Sequence, residues 1–586
     1  MCGKALNKLL LGIAACALLG CGGETPSPDA AATIDSLVAA RWNRTLENAP
    51  TLLLREGLDV DRLPDLSFER AEEEVGRDQA FLAALEAVDA GALDDTRRTT
   101  LETLTWETEM AIEGHRYFWL QSQLTPYSAA LRLYSSLFPQ LPLDSGDDLD
   151  RFVSLVEQVP MHVRQLLDLT SGQFERGFAV PRQNLDPAVG LVRAQAVPAA
   201  AGPFALADDR VAALDADRVA AARGRIEEIV RDSITPAIDE LATFLSGDYA
   251  DRAPERVGIS QYPEGREYYL YLTRLHTTMD VTPEEVQRAG YELLADFRAR
   301  MSEIRDRLGW EGTAEEFHDH LKTDPRYFPS DSDEVGERLR AASNRMGERL
   351  DEYFRVKAEA PWDARRLAPE LEPSMTYGYY SPPTSTDPHG YYHYNGSKLD
   401  ERSWLGLTAV ALHELLPGHH FQIARTLEND ALPDYRRNAY YTAYGEGWGS
   451  YASFLGLEAG VFEDLYSEYG LYILESFLAT RLVVDPGMNY FGMTLEEARQ
   501  FMRENTLESE TQIATESLRY STDMPGQALG YQMGKRRLLE LRERAEARLG
   551  EDFDIRDFHE VVLEPGSVPM VVLERRVEDW LQRLGR

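Results

Sequence analysis

Cysteine is nearly absent: the chain of 586 residues has three, Cys2, Cys16 and Cys21, all at one end. Past residue 21 there is no side chain for a disulfide, a thiolate metal site or a cysteine nucleophile, so any metal must be held by histidine and carboxylate. Positive charge is also scarce. Lys and Arg number 61 against 99 Asp and Glu, a formal net charge of −38 at pH 7 with a pI near 4.7. That balance repels phosphate backbones, which excludes non-specific nucleic-acid binding, and it argues against a polybasic membrane-surface mode. Otherwise an acidic surface reports solubility. Between Ala31 and Arg252 no alternating β-branched run is long enough to suggest a sheet.

What is present is a folded, helix-rich pattern. Hydrophobic residues make up 43% and charged residues 27%, ordinary for a protein with a large core. Lys4 and Lys8 precede an apolar segment, Leu9 to Leu19, too short to span a membrane and laid out like a secretory signal. Leu18-Leu19-Gly20-Cys21 resembles a bacterial lipobox, so residues 1–20 read as a lipoprotein signal peptide and Cys21 as the lipidated residue. Residues 21–30, with Gly22-Gly23-Glu24-Thr25-Pro26-Ser27-Pro28, read as a flexible tether. Residues 31–255 form an N-terminal helical region, with helices over Asp148–Leu169 and Asp217–Leu245 that Pro160 and Pro236 should kink or divide. Residues 256–586 form a second helical region. In it Thr282 with Glu285, Thr313 with Glu316, and Thr494 with Glu497 have the spacing of capping boxes. His115, His162, His276, His318 and His320 lack neighbours at metal-ligand spacing and read as structural.

Pro373 to Asn395 breaks the helical pattern with six tyrosines, four prolines and two glycines in 23 residues. It is the one place where strand is expected, and its aromatic surface suits a cleft wall. The fold class that follows is mainly α, a large multi-helix fold enclosing a cleft, with a small strand or irregular segment ahead of the next motif.

That motif is His413-Glu414-Leu415-Leu416-Pro417-Gly418-His419-His420, in a stretch that holds five of the eleven histidines between His389 and His420. Imidazoles bind zinc, and a neighbouring carboxylate activates water on it. In H-E-x-x-H the two histidines share a helical face; here the spacing is six or seven. On a straight helix a residue seven later lies about 10 Å further along, and one six later points largely away. Pro417 and Gly418 allow a bulge. Absorbing two residues makes His419 the second ligand, which is the preferred reading, and absorbing three selects His420; the histidine left over would orient a neighbour. The third ligand should come from Glu428, Asp430, Asp434, Glu446, Glu458, Glu463 or Asp464. Glu446, in Tyr444-Gly445-Glu446-Gly447-Trp448-Gly449, is chosen because a carboxylate on a tightly packed apolar helix needs a partner.

HExxPGHH, the downstream GEGW, Arg519–Ala528 (RYSTDMPGQA) and Asp557-Phe558-His559 together resemble the DUF885 family, bacterial and often lipoprotein or secreted proteins taken for zinc metallopeptidases. The resemblance runs from about Tyr262 to the C-terminus and more weakly over the N-terminal helices. The family is similar to helical gluzincin peptidases, whose zinc is held by two histidines and a glutamate, and the extra residues resemble the insertion in dipeptidyl peptidase III. The resemblance implies Zn2+ on His413, His419 and Glu446 with Glu414 as general base. It departs at Asn489, where histidine is expected. Tyr520, then Tyr531, are the candidate oxyanion donors, and Arg481 and Arg519 candidates for a substrate carboxylate, with His559 as a further substrate-binding residue. The expected function is a zinc-dependent metallopeptidase acting on short peptides in the cell envelope, held to the membrane only by its lipid anchor. Gly22 after the cysteine favours the periplasmic face of the outer membrane. The alternatives are a non-catalytic lipoprotein that binds peptides or wall fragments, and a zinc amidase on a non-peptide substrate. Oligomeric state is left open.

Overall fold

A computed structural model describes residues 29–125, 129–369, 372, 377–384 and 387–585. The signal peptide, Cys21 and the tether as far as residue 28 lie outside them. The last tether position already belongs to a helix, Ala30–Glu47, capped by Asp29.

Helices dominate, as the sequence implies, and they bury several apolar clusters. One cluster gathers residues from Val60 to Leu272, including Leu155, Val159, Ile238 and Leu241. Tyr268, Tyr269 and Leu272 belong to it, so the helix Gly265–Thr277 carries the chain from the first region into the second within one core. A second cluster surrounds Leu412, Phe421, Trp448, Leu538 and Phe558. The capping boxes form at Thr282, Thr313 and Thr494, each hydroxyl accepting the backbone N–H three residues on.

Of the two prolines, Pro236 stands where its helix is divided, as expected, and Pro160 does not divide its own. The helix Gly146–Glu175 runs unbroken through Pro160. Pro160 is buried on one face with Val156, Val159 and Val163, and burial of that face outweighs one lost hydrogen bond. At Pro236 the chain changes to a π turn, Val230–Ile234, between the helices Ala216–Ile229 and Thr235–Ser246.

The sheet has three strands among the described residues: β1 (Trp362–Arg366), β2 (Gly378–Ser381) and β3 (Gly390–Tyr394). β3 is central, parallel to β1 and antiparallel to β2. β2 and β3 fall where strand is expected; β1 does not. Its Asp363, Arg365 and Arg366 hide the apolar alternation that marks a strand. Tyr392 and Tyr394 of β3 pack with Ala411 and Leu415, which sets the sheet against the motif helix.

Six helices frame the site: α1 (Leu407–Glu414), α2 (His419–Leu427), α3 (Thr442–Glu458), α4 (Leu465–Pro486), α5 (Glu510–Leu518) and α6 (Gly530–Leu549). α3 and α6 approach glycine to glycine. A Cβ on Gly447 would lie 2.6 Å from Gly534 Cα, and one on Gly534 would lie 1.9 Å from the Ala443 carbonyl oxygen. Backbone on both sides leaves nothing that can swing away. Gly534→Ala is therefore expected to lower stability by about 1–3 kcal/mol through forced separation of the helices. Calorimetric unfolding of the variant tests this, and an unchanged transition contradicts it.

Candidate metal centre

The motif forms two helices rather than one helix with a bulge. α1 ends at Glu414, Leu415 leaves helical geometry at φ −112 and ψ −100, and α2 begins at His419. Pro417 brings no N–H to the turn. The Phe421 N–H reaches back six residues to the Leu415 carbonyl at 3.3 Å, so the extra residues are looped out. Gly418 is needed there, because a Cβ would sit 1.9 Å from the His413 carbonyl oxygen. The Trp448 indole N–H donates to the Pro417 carbonyl at 2.8 Å and ties the turn to α3.

This break brings the His413 and His419 rings edge to face, with centroids 4.7 Å apart. Glu446 of α3 closes the group: its Oε2 lies 3.4 Å from His413 Nε2 and 3.3 Å from His419 Nε2. The three atoms all fall within 4.8 Å of one another. A tetrahedral zinc with ligand bonds of about 2.0–2.1 Å has ligand–ligand edges of about 3.3–3.4 Å, whereas a charge-assisted hydrogen bond is closer to about 2.8 Å. Two of the three spacings therefore match ligands that share an ion, and the donor set is one that zinc takes. Burial raises the Glu446 carboxyl, but the two histidines, His419 foremost, more than offset it and hold it well below the usual range. Burial pulls the His419 imidazolium down, and Glu446 reverses this to leave it raised. The Tyr440 hydroxyl donates to the other carboxylate oxygen, Glu446 Oε1, at 3.1 Å.

His420 is committed elsewhere. Its Nδ1 meets the Tyr380 hydroxyl at 2.9 Å and its Nε2 the Ala360 carbonyl at 3.0 Å, and burial pulls its pKa to about 4. A neutral ring that donates from Nε2 and accepts at Nδ1 satisfies both contacts and links α2 to β2 and to the chain ahead of β1. The structure thus places His419, and not His420, beside His413 and Glu446.

Glu414 is half-buried, and among the described residues none donates a hydrogen bond to its carboxylate. Burial raises its pKa against the pull of His419 and His413. A carboxylate left without donors, with raised basicity and beside a metal-ready cluster, is suited to accept a proton from water.

The remaining candidates separate into two places. The Tyr531 ring lies parallel to His413 with centroids 6.1 Å apart, and burial, with Glu446 nearby, pushes its hydroxyl to about 12. The Arg481 guanidinium sits 4.7 Å from the Tyr531 ring centroid. Arg481 Nη2 and Arg519 Nη1 reach Glu516 Oε2 at 3.2 and 3.1 Å, and the Tyr520 hydroxyl donates to the same oxygen. Tyr520, fully buried and committed to Glu516, belongs to this cation cluster. His559 lies in the core, 0% exposed, with Nε2 on the Tyr451 hydroxyl and Nδ1 on the Tyr353 carbonyl, both at 2.8 Å; it packs behind Trp448 and does not line the site. Asn489 bridges Asp485, the Tyr520 carbonyl and the Ile259 N–H, a structural assignment for the position where histidine was expected. Glu516 and Tyr380 escaped the sequence reading. Glu516 stands three before Arg519 and four before Tyr520, a helical spacing that could have revealed it; nothing local marks Tyr380 as the partner of His420.

A cavity of about 490 Å³ runs along the Leu407 and Val410 face of α1, lined also by Tyr377, Tyr392, Leu474, Gln512 and Thr515. Leu407, Val410 and Glu414 are spaced along one helical face of α1. The tyrosine-rich segment supplies part of the cavity wall.

The family model described as "Bacterial protein of unknown function (DUF885)" matches residues 50–577. No curated protein matches the chain. Two solved structures share the fold. One, from Colwellia psychrerythraea, is 24% identical, with TM-score 0.86 over 94% of this chain and 100% of the other. The second, from Shewanella oneidensis and of unknown function, is 17% identical, with TM-score 0.72 over 94% and 99%. Each is described as a "putative lipoprotein".

The geometry separates the two adjacent histidines in a way that metal content can read. His419→Gln is expected to lose zinc on dialysis, with affinity down at least about 10-fold, while His420→Gln keeps it. Elemental analysis of the two purified variants decides, and zinc lost from the His420 variant alone contradicts the assignment.

Proposed function

The chain belongs to the DUF885 family, and we propose that it is a zinc-dependent metallopeptidase that hydrolyses short peptides in the cell envelope. The observation that carries this reading is the convergence of His413 Nε2, His419 Nε2 and Glu446 Oε2 beside a Glu414 carboxylate with no hydrogen-bond donor among the described residues. These three atoms would hold the ion. When bound, zinc supplies Lewis acidity, which acidifies water and polarises a peptide carbonyl.

The chain's own groups do the rest. Glu414, its basicity raised by burial, takes a proton from the attacking water and delivers it to the departing amine, two transfers by one carboxyl. Tyr440 steadies Glu446 through Oε1 and leaves Oε2 turned to the histidines. Trp448 holds the Leu415–Gly418 turn, and with it the position of His419. Tyr531, parallel to the His413 ring with its proton retained up to about pH 12, is the tyrosine beside the cluster that can donate a hydrogen bond to a developing oxyanion. Tyr520, committed to Glu516, instead sets the charge of the cation cluster behind it.

The lipobox-like Leu18–Cys21 and the lipoprotein description of both structural relatives support an envelope location, with the lipid on Cys21 as anchor and the periplasmic face of the outer membrane as the favoured side. No helix of the described residues is long and apolar enough to cross a membrane.

Glu414→Gln is expected to keep its zinc and lose about 10³-fold in kcat on a diverse peptide library digested and read by mass spectrometry. Zinc-loaded wild-type protein that cleaves nothing in that library overturns the proposal.

A further inference from the structure

We infer that Arg481 receives the free C-terminal carboxylate of the substrate, so that the peptidase proposed above acts from the carboxyl end of short peptides; this rests on that reading of the metal centre. Arg481 lies on α4, 5% exposed, and offers five N–H donors. Nη2 bonds Glu516 at 3.2 Å, while Nε and Nη1 are buried with no acceptor among the described residues. Leaving such donors unmade costs free energy that an acceptor on a ligand would recover, and Arg481 leaves two.

The charge balance points the same way. Glu516 Oε2 answers two guanidinium groups, Arg481 and Arg519, and a phenol, Tyr520, so Arg481 has only a share of one carboxylate oxygen. The other carboxylate that Arg481 feels, Glu508, takes the Tyr377 hydroxyl on both oxygens at 2.7 and 2.8 Å, and burial pushes its pKa up to about 7, which weakens it as a counter-ion. A buried guanidinium so weakly countered is stabilised by a further anion.

The position suits a peptide terminus. From the His413 ring through the parallel Tyr531 ring to Arg481 is at most about 11 Å. An extended chain covers about 3.3–3.6 Å per residue, so no more than three residues fit between the metal centre and the guanidinium. The cavity beside α1 has in its wall Leu474, on the same face of α4 as Arg481, and Thr515, next to Glu516. A carboxylate there can take Nε and Nη1 together, whereas an amidated terminus brings no charge and cannot make that bidentate pair.

The test separates this inference from the peptidase reading by measuring binding without turnover. Zinc-loaded Glu414→Gln protein is dialysed to equilibrium against a randomised tetrapeptide pool, made once as free acids and once as C-terminal amides, and retained peptides are counted by mass spectrometry. Free acids are expected to be retained at least about 10-fold better than amides. Adding Arg481→Met should reduce acids to the level of amides, and Arg481→Lys should restore part of the difference. Equal retention of acids and amides by the protein that keeps Arg481 overturns the inference, and that comparison needs no variant at 481 to fold. Turnover of the same pools with Glu414 intact reports on the peptidase reading separately.

Discussion

The imidazole of His413 fills space that one methyl group on residue 449 would occupy, since a Cβ there would come within 2.7 Å of the ring. The rest of the centre depends on that close approach of α3 to α1. Successive residues of α3 each meet a different constraint. Gly445 clears the Tyr440 ring, Glu446 turns toward the two histidines, Gly447 meets Gly534 of α6, Trp448 bonds the Pro417 carbonyl, and Gly449 clears His413. Gly418 answers from the other side by passing within van der Waals distance of the His413 backbone. Small residues here set the distance between two helices, and that distance sets whether a carboxylate on one can share an ion with imidazoles on the other.

Around this point the buried charges divide into two groups. His413, His419 and Glu446 form a set in which a carboxylate is held ionised by imidazoles. Arg481 and Arg519 share the Glu516 carboxylate in a second set. Tyr531 lies between them, parallel to His413 on one side and beneath Arg481 on the other. The two sets stand on either side of Tyr531, in a chain of net charge −38. Buried ion sets of this kind contribute little net stability.

Much of the site was legible because the chemistry leaves few residue types to choose from. With cysteine confined to the first 21 residues, histidine and carboxylate were the available ligands, and Glu446 stood out as a charge framed by glycines. Threonine and glutamate three apart announced helix starts that the structure shows. Spacing alone could not decide between His419 and His420, because a loop of four residues can rotate the second helix to present either; the contacts of His420 with Tyr380 and Ala360 decide it, and both are long-range. Long-range packing also hid the burial of His559, while the local spacing of Glu516 and Tyr520 went unread. Pro160, read as a helix breaker, is outweighed by the apolar face on which it sits.

The central claim is that His413, His419 and Glu446 share one metal ion. Anomalous diffraction at the zinc absorption edge, on crystals of the unaltered protein equilibrated with zinc, tests it most directly. The account expects a single strong peak about 2.0–2.1 Å from His413 Nε2, His419 Nε2 and Glu446 Oε2. A crystal with no peak at that position, or with the ion bound through His420, contradicts it.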